Sequence, residues 1–324
     1  MAKQTAPRAR KPAARGPDGS APSPDPGALA APEGAAAPPD VAATQGARPV
    51  VRLRPKGGGR FFAGAPWVYG NEIVLDRRAK AIAPGAIVRL EDAERRPLGA
   101  AAFNPGSGVA ARWLDPDPDA RIDADWLARK LSRAAELRAR LYDAPVYRLA
   151  HAEADGLPGL VIDRFGDVVS VQPNAAWIDA RAEALLAALE RAVAPKTVIW
   201  SAASRARALE GLGEETRLLK GEDPGAIELA LNGALYFAEP LGGQKTGLYL
   251  DQRDNHAFVA GLARGAEVLD VFSHVGGFGL AALAAGARAA LAVDGSAAAL
   301  AHAARAAERM GAGGRYETRR GDAF

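Results

Sequence analysis

Between Asp270 and Gly279 the chain reads D-V-F-S-H-V-G-G-F-G, and glycines this dense directly behind an apolar run leave the backbone few options. The run Glu267 to Phe272 suits a buried strand of a parallel sheet. Gly276, Gly277 and Gly279 then allow a tight turn into an Ala-rich helix near Leu280 to Ala285. Main chain without side chains can approach a ligand closely at such a turn. A second strand, Ala289 to Asp294, ends on a carboxylate that can accept hydrogen bonds from both hydroxyls of a ribose. Glycines between a strand and a helix also serve purely structural ends, so the cluster alone leaves both readings open.

The spacing does not match G-x-G-x-x-G, and the acidic Asp270 sits inside the first strand. Both points disfavour the pyrophosphate of a nicotinamide dinucleotide, and with it an oxidoreductase. They favour a ligand with no phosphate to cradle: a sulfonium cation with an amino acid end and an adenosine, which is S-adenosylmethionine (SAM).

A chain of 324 residues with 48% hydrophobic content can bury a sizeable core spread over two or three domains. The absence of cysteine excludes disulfides, thiolate metal sites and cysteine nucleophiles within these residues. His151, His256, His274 and His302 show no paired ligand spacing, so each reads as a surface or supporting residue and no metal site is expected. No apolar run approaches the ~18 residues of a membrane span. The basic N-terminus lacks a hydrophobic export segment, which points to the cytoplasm.

Residues 1–48 are rich in Ala, Pro and Gly and poor in large apolar side chains, and are expected to be a disordered tail. A small β-rich domain is expected over 49–116, with strands near Val50 to Leu53, Ala86 to Leu90, Leu98 to Phe103 and Val109 to Trp113. Eleven cations face five anions between Arg52 and Arg112, and aromatics are interleaved. Arg52, Arg54, Lys56 and Arg60 are therefore candidate RNA contacts. Trp67 is read as core instead.

A central α+β domain is expected over 117–240. It begins with an amphipathic helix from Asp123 to Tyr142, whose apolar face carries Leu127, Leu131, Ala134 and Leu141. Hairpins are expected around Arg164 to Asp167 and around Asn232-Gly233. The region 241–324 should hold a helix from Asp251 to Arg264, then strand, helix, strand, a helix capped by Ser296, and a third strand near Tyr316 to Thr318.

Three stretches carry a family resemblance: E-A-D-G-L-P-G-L-V-I-D (153–163), G-Q-K-T-G-L-Y-L-D-Q-R (243–253) and Asp270 to Phe278. They resemble the bacterial 23S rRNA large-subunit methyltransferases that methylate carbon 5 of a cytosine. The resemblance implies an N-terminal PUA domain, a central β-rich domain and a Rossmann-like methyltransferase domain. The fold class expected is thus α/β, with a PUA-like domain, a central α+β domain and a partial Rossmann-like domain. Ribosomal RNA is the implied partner, and a homodimer is compatible with it. By that similarity Phe272, Ser273, Gly276 and Gly277 line the methionine end of SAM, Asp294 holds the ribose and Asp322 reaches the adenine amine. Lys245, Asp251 and Arg253 would close over the amino acid end, Arg253 as the carboxylate partner. His274 and Val275 stand where the family has an aromatic and a threonine, and His256 stands in place of an arginine.

Methylation at cytosine carbon 5 needs a nucleophile at carbon 6, a cysteine thiolate in this class. With none present, no catalytic residue is assigned, and the chain is expected to be a C-terminally truncated enzyme lacking its catalytic half. The competing expectation is an RNA-binding module without catalysis.

Overall fold

The computed structural model describes residues 48–242 and 247–322, so the expected tail lies outside the described residues except for Arg48. Strands β1 (Val50–Arg52), β2 (Trp67–Val68), β3 (Ala86–Glu91), β4 (Pro97–Phe103) and β5 (Ala111–Asp115) form one sheet in the order β1-β3-β4-β5-β2. Only β1 and β3 run parallel in it. Single-turn helices α1 (Gly59–Phe62) and α2 (Arg77–Lys80) occupy the longer connections. Because side chains alternate across a strand, β4 serves two cores at once. Ala101 packs with Val88, Leu90 and Phe103 inside the small domain, whereas Ala102 joins the core of the next one. Small residues let both packings come close.

The central core lies between helices and a second five-stranded sheet. Helix α3 (Ala124–Leu141) starts at Asp123, whose carboxylate accepts from the Trp126 amide, and buries Leu127, Leu131 and Ala134. Leu141, expected on that face, is exposed where the helix ends. There follow β6 (Val146–His151), β7 (Leu160–Phe165), β8 (Val168–Pro173), α4 (Ala176–Asp179), α5 (Ala182–Val193), β9 (Thr197–Ala202), α6 (Arg205–Ala208) and β10 (Glu215–Lys220). The sheet order is β10-β9-β8-β7-β6, antiparallel except for the β8–β9 pair. A separate hairpin, β11 (Ile227–Leu231) and β12 (Ala234–Ala238), turns at Asn232 and Gly233, both at positive φ as a two-residue hairpin turn requires.

The last region runs α7 (Arg253–Leu262), β13 (Glu267–Val271), α8 (Gly277–Ala284), β14 (Ala289–Asp294), α9 (Ala297–Arg309) and β15 (Tyr316–Arg320). The three strands pair in parallel in the order β13-β14-β15, so their carboxyl ends share one rim. Ser296 caps α9 by accepting from the Ala299 amide. β11 and β12 pack on α8 and α9 in a third core, which Val146 and Phe165 of the central sheet also enter. The fold is thus mixed α/β, with the β-rich domain leading and a parallel β-α-β-α-β unit closing the described chain. No helix among the described residues is long and apolar enough to cross a membrane.

A buried polar clamp holds the first domain on the second. Glu210 is 5% exposed. One of its oxygens accepts from Ser107 at 2.6 Å and meets the Arg112 guanidinium at 2.9 Å; the other accepts from Asn104 at 3.1 Å and from the Ala176 amide at 3.4 Å. Removing the carboxylate takes the acid away from the half-buried Arg112 guanidinium, which keeps only the Val109 carbonyl among the described residues, and from an amide and a hydroxyl. Glu210→Ala should therefore cost about 3 kcal/mol or more in urea unfolding, and a loss below about 1 kcal/mol would contradict the clamp.

Candidate cofactor site

Beyond β13 the chain enters a loop that L-amino acids adopt only under constraint. Phe272 has φ +60°, His274 +51° and Gly276 +82°, three left-handed residues within five. Phe272 and His274 each cost on the order of 1–3 kcal/mol in that region, so the surroundings must fix them. Five hydrogen bonds do so. The Ser273 amide donates to the Val293 carbonyl at 3.1 Å, and the Gly276 amide to the Ser273 carbonyl at 2.8 Å. The His274 amide donates to Asp294 at 2.8 Å, and the Gly279 amide to Asp270 at 2.9 Å. The Tyr236 hydroxyl, reaching over from β12, donates to the Gly277 carbonyl at 3.1 Å.

The glycines are there because neighbours fill their side-chain space. A Cβ on Gly276 would lie 2.4 Å from the Tyr316 hydroxyl, and one on Gly277 would lie 2.5 Å from the His256 ring. Gly276 also needs its positive φ.

The two acids named from sequence converge on this loop. Asp270 is 5% exposed, and burial raises its pKa; the amides of Gly279 and Phe278 act against that rise, and the charge of Asp294 adds to it. Asp294 ends β14, with one oxygen on the His274 amide and the other on the Ser296 amide at 2.8 Å. Each oxygen keeps a lone pair for a ligand hydroxyl. Asp294 pairs in register with Arg320, which places Asp322 just past the neighbouring strand tip on the same rim. Ser273 is buried, and its hydroxyl has no hydrogen-bond partner among the described residues; the same holds for the Tyr316 hydroxyl and for His256 Nδ1. A bare backbone bend, two carboxylates and an unsatisfied serine hydroxyl are a donor and acceptor set that fits the ammonium, carboxylate and ribose of an adenosyl amino acid.

Of the other cofactor assignments from sequence, Phe272, Asp251 and Arg253 lie among the described residues. Phe272 is 66% exposed at the rim instead of ending the strand. Lys245 lies outside the described residues. Asp251, expected at the amino acid end of the cofactor, meets Arg148 of β6 at 3.4 Å. Arg253, expected to pair with a ligand carboxylate, is 7% exposed, donates to the Val146 carbonyl at 2.7 Å and lies 4.2 Å over the Tyr142 ring. Both are held by the central domain. Tyr236 and Tyr316 were not foreseen as parts of the site, because nothing in their local sequence marks them, and His256 stands out in sequence only as the residue in place of the family's arginine. His256 is buried against Phe278, at 4.5 Å between ring centroids.

In the β-rich domain Arg54 and Lys56 border a cleft with Gly57, Gly59, Phe62 and Arg96, opposed by Asp92 and Glu94. Arg60 lies over the Tyr69 ring, and Arg52 is tied to Glu91 at 2.9 Å. Trp67, expected in the core, is at the surface, its indole N–H donating to Glu153 at 2.9 Å. A two-residue strand at the sheet edge buries Val68 inward and so turns Trp67 out.

His256 makes the site's stability depend on pH. Burial lowers its pKa from 6.5 to about 4, outweighing the opposite pull of Asp251. A lowered pKa in the folded state means the unfolded chain takes up the proton first, so stability is full above pH 6.5 and falls as the pH drops toward 4. The loss should reach roughly 3 kcal/mol, and His256→Gln should flatten that slope between pH 6.5 and 4 in denaturant unfolding. An unchanged slope would contradict the burial argument.

Comparison with known proteins bears on the fold and the family. Residues 51–116 match a family model described as a PUA-like domain, and residues 182–315 match one described as S-adenosylmethionine-dependent methyltransferase. The chain is 33% identical over 240 residues to a protein named Ribosomal RNA large subunit methyltransferase I from Erwinia tasmaniensis, and 38% identical over 244 residues to one of the same name from Shewanella denitrificans. Each match covers 72% of this chain and 60% of the relative. The chain therefore spans about 60% of the length of these relatives. A solved methyltransferase complexed with SAH shares the fold at a TM-score of 0.72 and 19% identity, covering 85% of this chain and 70% of that one. A protein described as a SAM-dependent methyltransferase from Streptococcus mutans matches at a TM-score of 0.70 and 19% identity, covering 85% of this chain and 71% of that one. The chain thus has the fold of SAM-dependent methyltransferases behind a PUA-like domain, and in sequence it is similar to ribosomal RNA large-subunit methyltransferases.

Proposed function

We propose that this chain carries the RNA-docking and cofactor-binding residues of a SAM-dependent methyltransferase that acts on large-subunit ribosomal RNA in the cytoplasm, at carbon 5 of a cytosine. The observation that carries the reading is the convergence of Asp270, Asp294 and the unsatisfied Ser273 hydroxyl on one strained glycine bend. In it Ser273, Gly276 and Gly277 bind the amino acid end of SAM, Asp294 the ribose and Asp322 the adenine amine. When bound, SAM supplies an electrophilic methyl group. The chain's own residues orient it and keep the loop rigid, so little ordering remains to be done on binding.

The 324 residues contain no cysteine, and none of them is assigned the nucleophile's role. The same absence favours a second reading, an RNA-binding module without catalysis, in which Arg54, Lys56 and Arg60 contact phosphates beside the exposed Phe62. Both readings expect RNA affinity that falls steeply with salt. Only the first expects the chain to bind S-adenosylhomocysteine in calorimetry, with Asp294→Ala weakening it by about tenfold or more. No heat of binding from a folded chain would leave the second reading.

A further inference from the structure

We propose that Arg148, on the central sheet, is a positioning residue for the cofactor site, acting through Asp251 to hold the segment Tyr249–His256 against the glycine loop. The proposal rests on the cofactor reading above and gives the central domain a part in it.

Arg148 spends its guanidinium on two partners at once. Nε and one terminal nitrogen meet the two oxygens of Asp163 at 2.8 and 3.2 Å, and Asp163 is fully buried. That bidentate pair fixes the plane of the guanidinium, and the remaining nitrogen points to Asp251 at 3.4 Å. Two residues further along, Arg253 repeats the attachment by donating to the Val146 carbonyl and lying over Tyr142. The Tyr142 hydroxyl donates to Asp254 at 3.2 Å, and Asn232 of the hairpin donates to the Arg253 carbonyl at 2.8 Å. One side of the segment is thus fastened to β6, to the end of α3 and to the β11–β12 turn.

Its other side is the wall of the site. The Tyr249 ring meets His274 edge-on at 5.2 Å, and the His256 ring occupies the space that a side chain on Gly277 would need. His274 is one of the two non-glycine residues held at positive φ in the loop. A shift of the segment therefore moves the ring that backs the strained residue and the ring that backs the helix start. Asp251 in this account touches Arg148 and not the ligand.

A double-mutant cycle on the full chain tests it, with S-adenosylhomocysteine as the probe in calorimetry at a temperature where every variant is folded. Asp251→Asn leaves the Arg148–Asp163 pair intact, and Arg148→Lys keeps the charge but cannot serve both acids. Each should weaken binding by roughly three- to tenfold, and the double variant should be no weaker than the weaker single. Asp251→Asn should also shift the His274 ring resonances, which a loss confined to β6 would leave in place. Wild-type affinity in both single variants overturns the proposal. Additive effects overturn it too, since they mean that Asp251 contacts the ligand itself. Should Arg148→Lys fail to fold, Asp251→Asn decides alone: weaker binding with shifted His274 resonances supports the proposal, and weaker binding with unmoved resonances overturns it. Failure of the unaltered chain to bind at all removes the cofactor reading, and this inference with it, whereas normal wild-type binding that is sensitive to Asp294→Ala but not to Arg148 or Asp251 removes the inference alone.

Discussion

Everything at the rim of the parallel sheet depends on holding Phe272 and His274 in a backbone region that their side chains disfavour. The strain is local, and so is its remedy: the His274 amide is caught by Asp294 and the Gly279 amide by Asp270, so the two carboxylates that could meet a ligand also shape the bend that receives it. A loop tied on both sides by charge-assisted hydrogen bonds is preorganised. Because such a loop loses little further freedom when a ligand arrives, more of the contact energy shows as affinity. Burial lifts the Asp270 pKa, the amides of Gly279 and Phe278 oppose that lift, and the charge of Asp294 adds to it.

That loop is not assembled by the parallel unit alone. Tyr236 comes from a hairpin outside the sheet, and His256 comes from the helix before it. Arg148 and Arg253 join the central sheet to the segment between. Further back, β4 places Ala101 and Ala102 in two different cores, and Glu210 locks the small domain onto the central one through a buried carboxylate. Such polar joints specify geometry more than they add stability, because a buried ion pair repays much of its attraction in lost hydration. A loop whose walls come from a hairpin, a helix and the central sheet requires that kind of specification.

Period and punctuation made much of the architecture legible. Short apolar runs marked β3, β4 and β14, the Asn232-Gly233 pair marked the hairpin turn, and Ser296 marked the start of α9. The glycine bend was legible for the same reason, since three glycines behind an apolar strand permit little else. What sequence could not show is which way a charged side chain turns. Asp251 and Arg253 sit in a segment that resembles a cofactor loop, yet their partners are Arg148, Val146 and Tyr142, about a hundred residues earlier in the chain. Trp67 looked like core by residue type, but its place on a two-residue edge strand turned it to the surface. Tyr316 and His256 are single residues in helix and strand patterns, and only the fold puts them beneath the bend.

The most direct test of the central claim is amide NMR mapping during titration with S-adenosylhomocysteine. The account predicts the largest shifts at Ser273, His274, Gly276 and Gly277 and at the Asp294–Ser296 turn, with β11 and the first sheet undisturbed. Shifts centred elsewhere, or none at the glycine bend at saturating ligand, would contradict it.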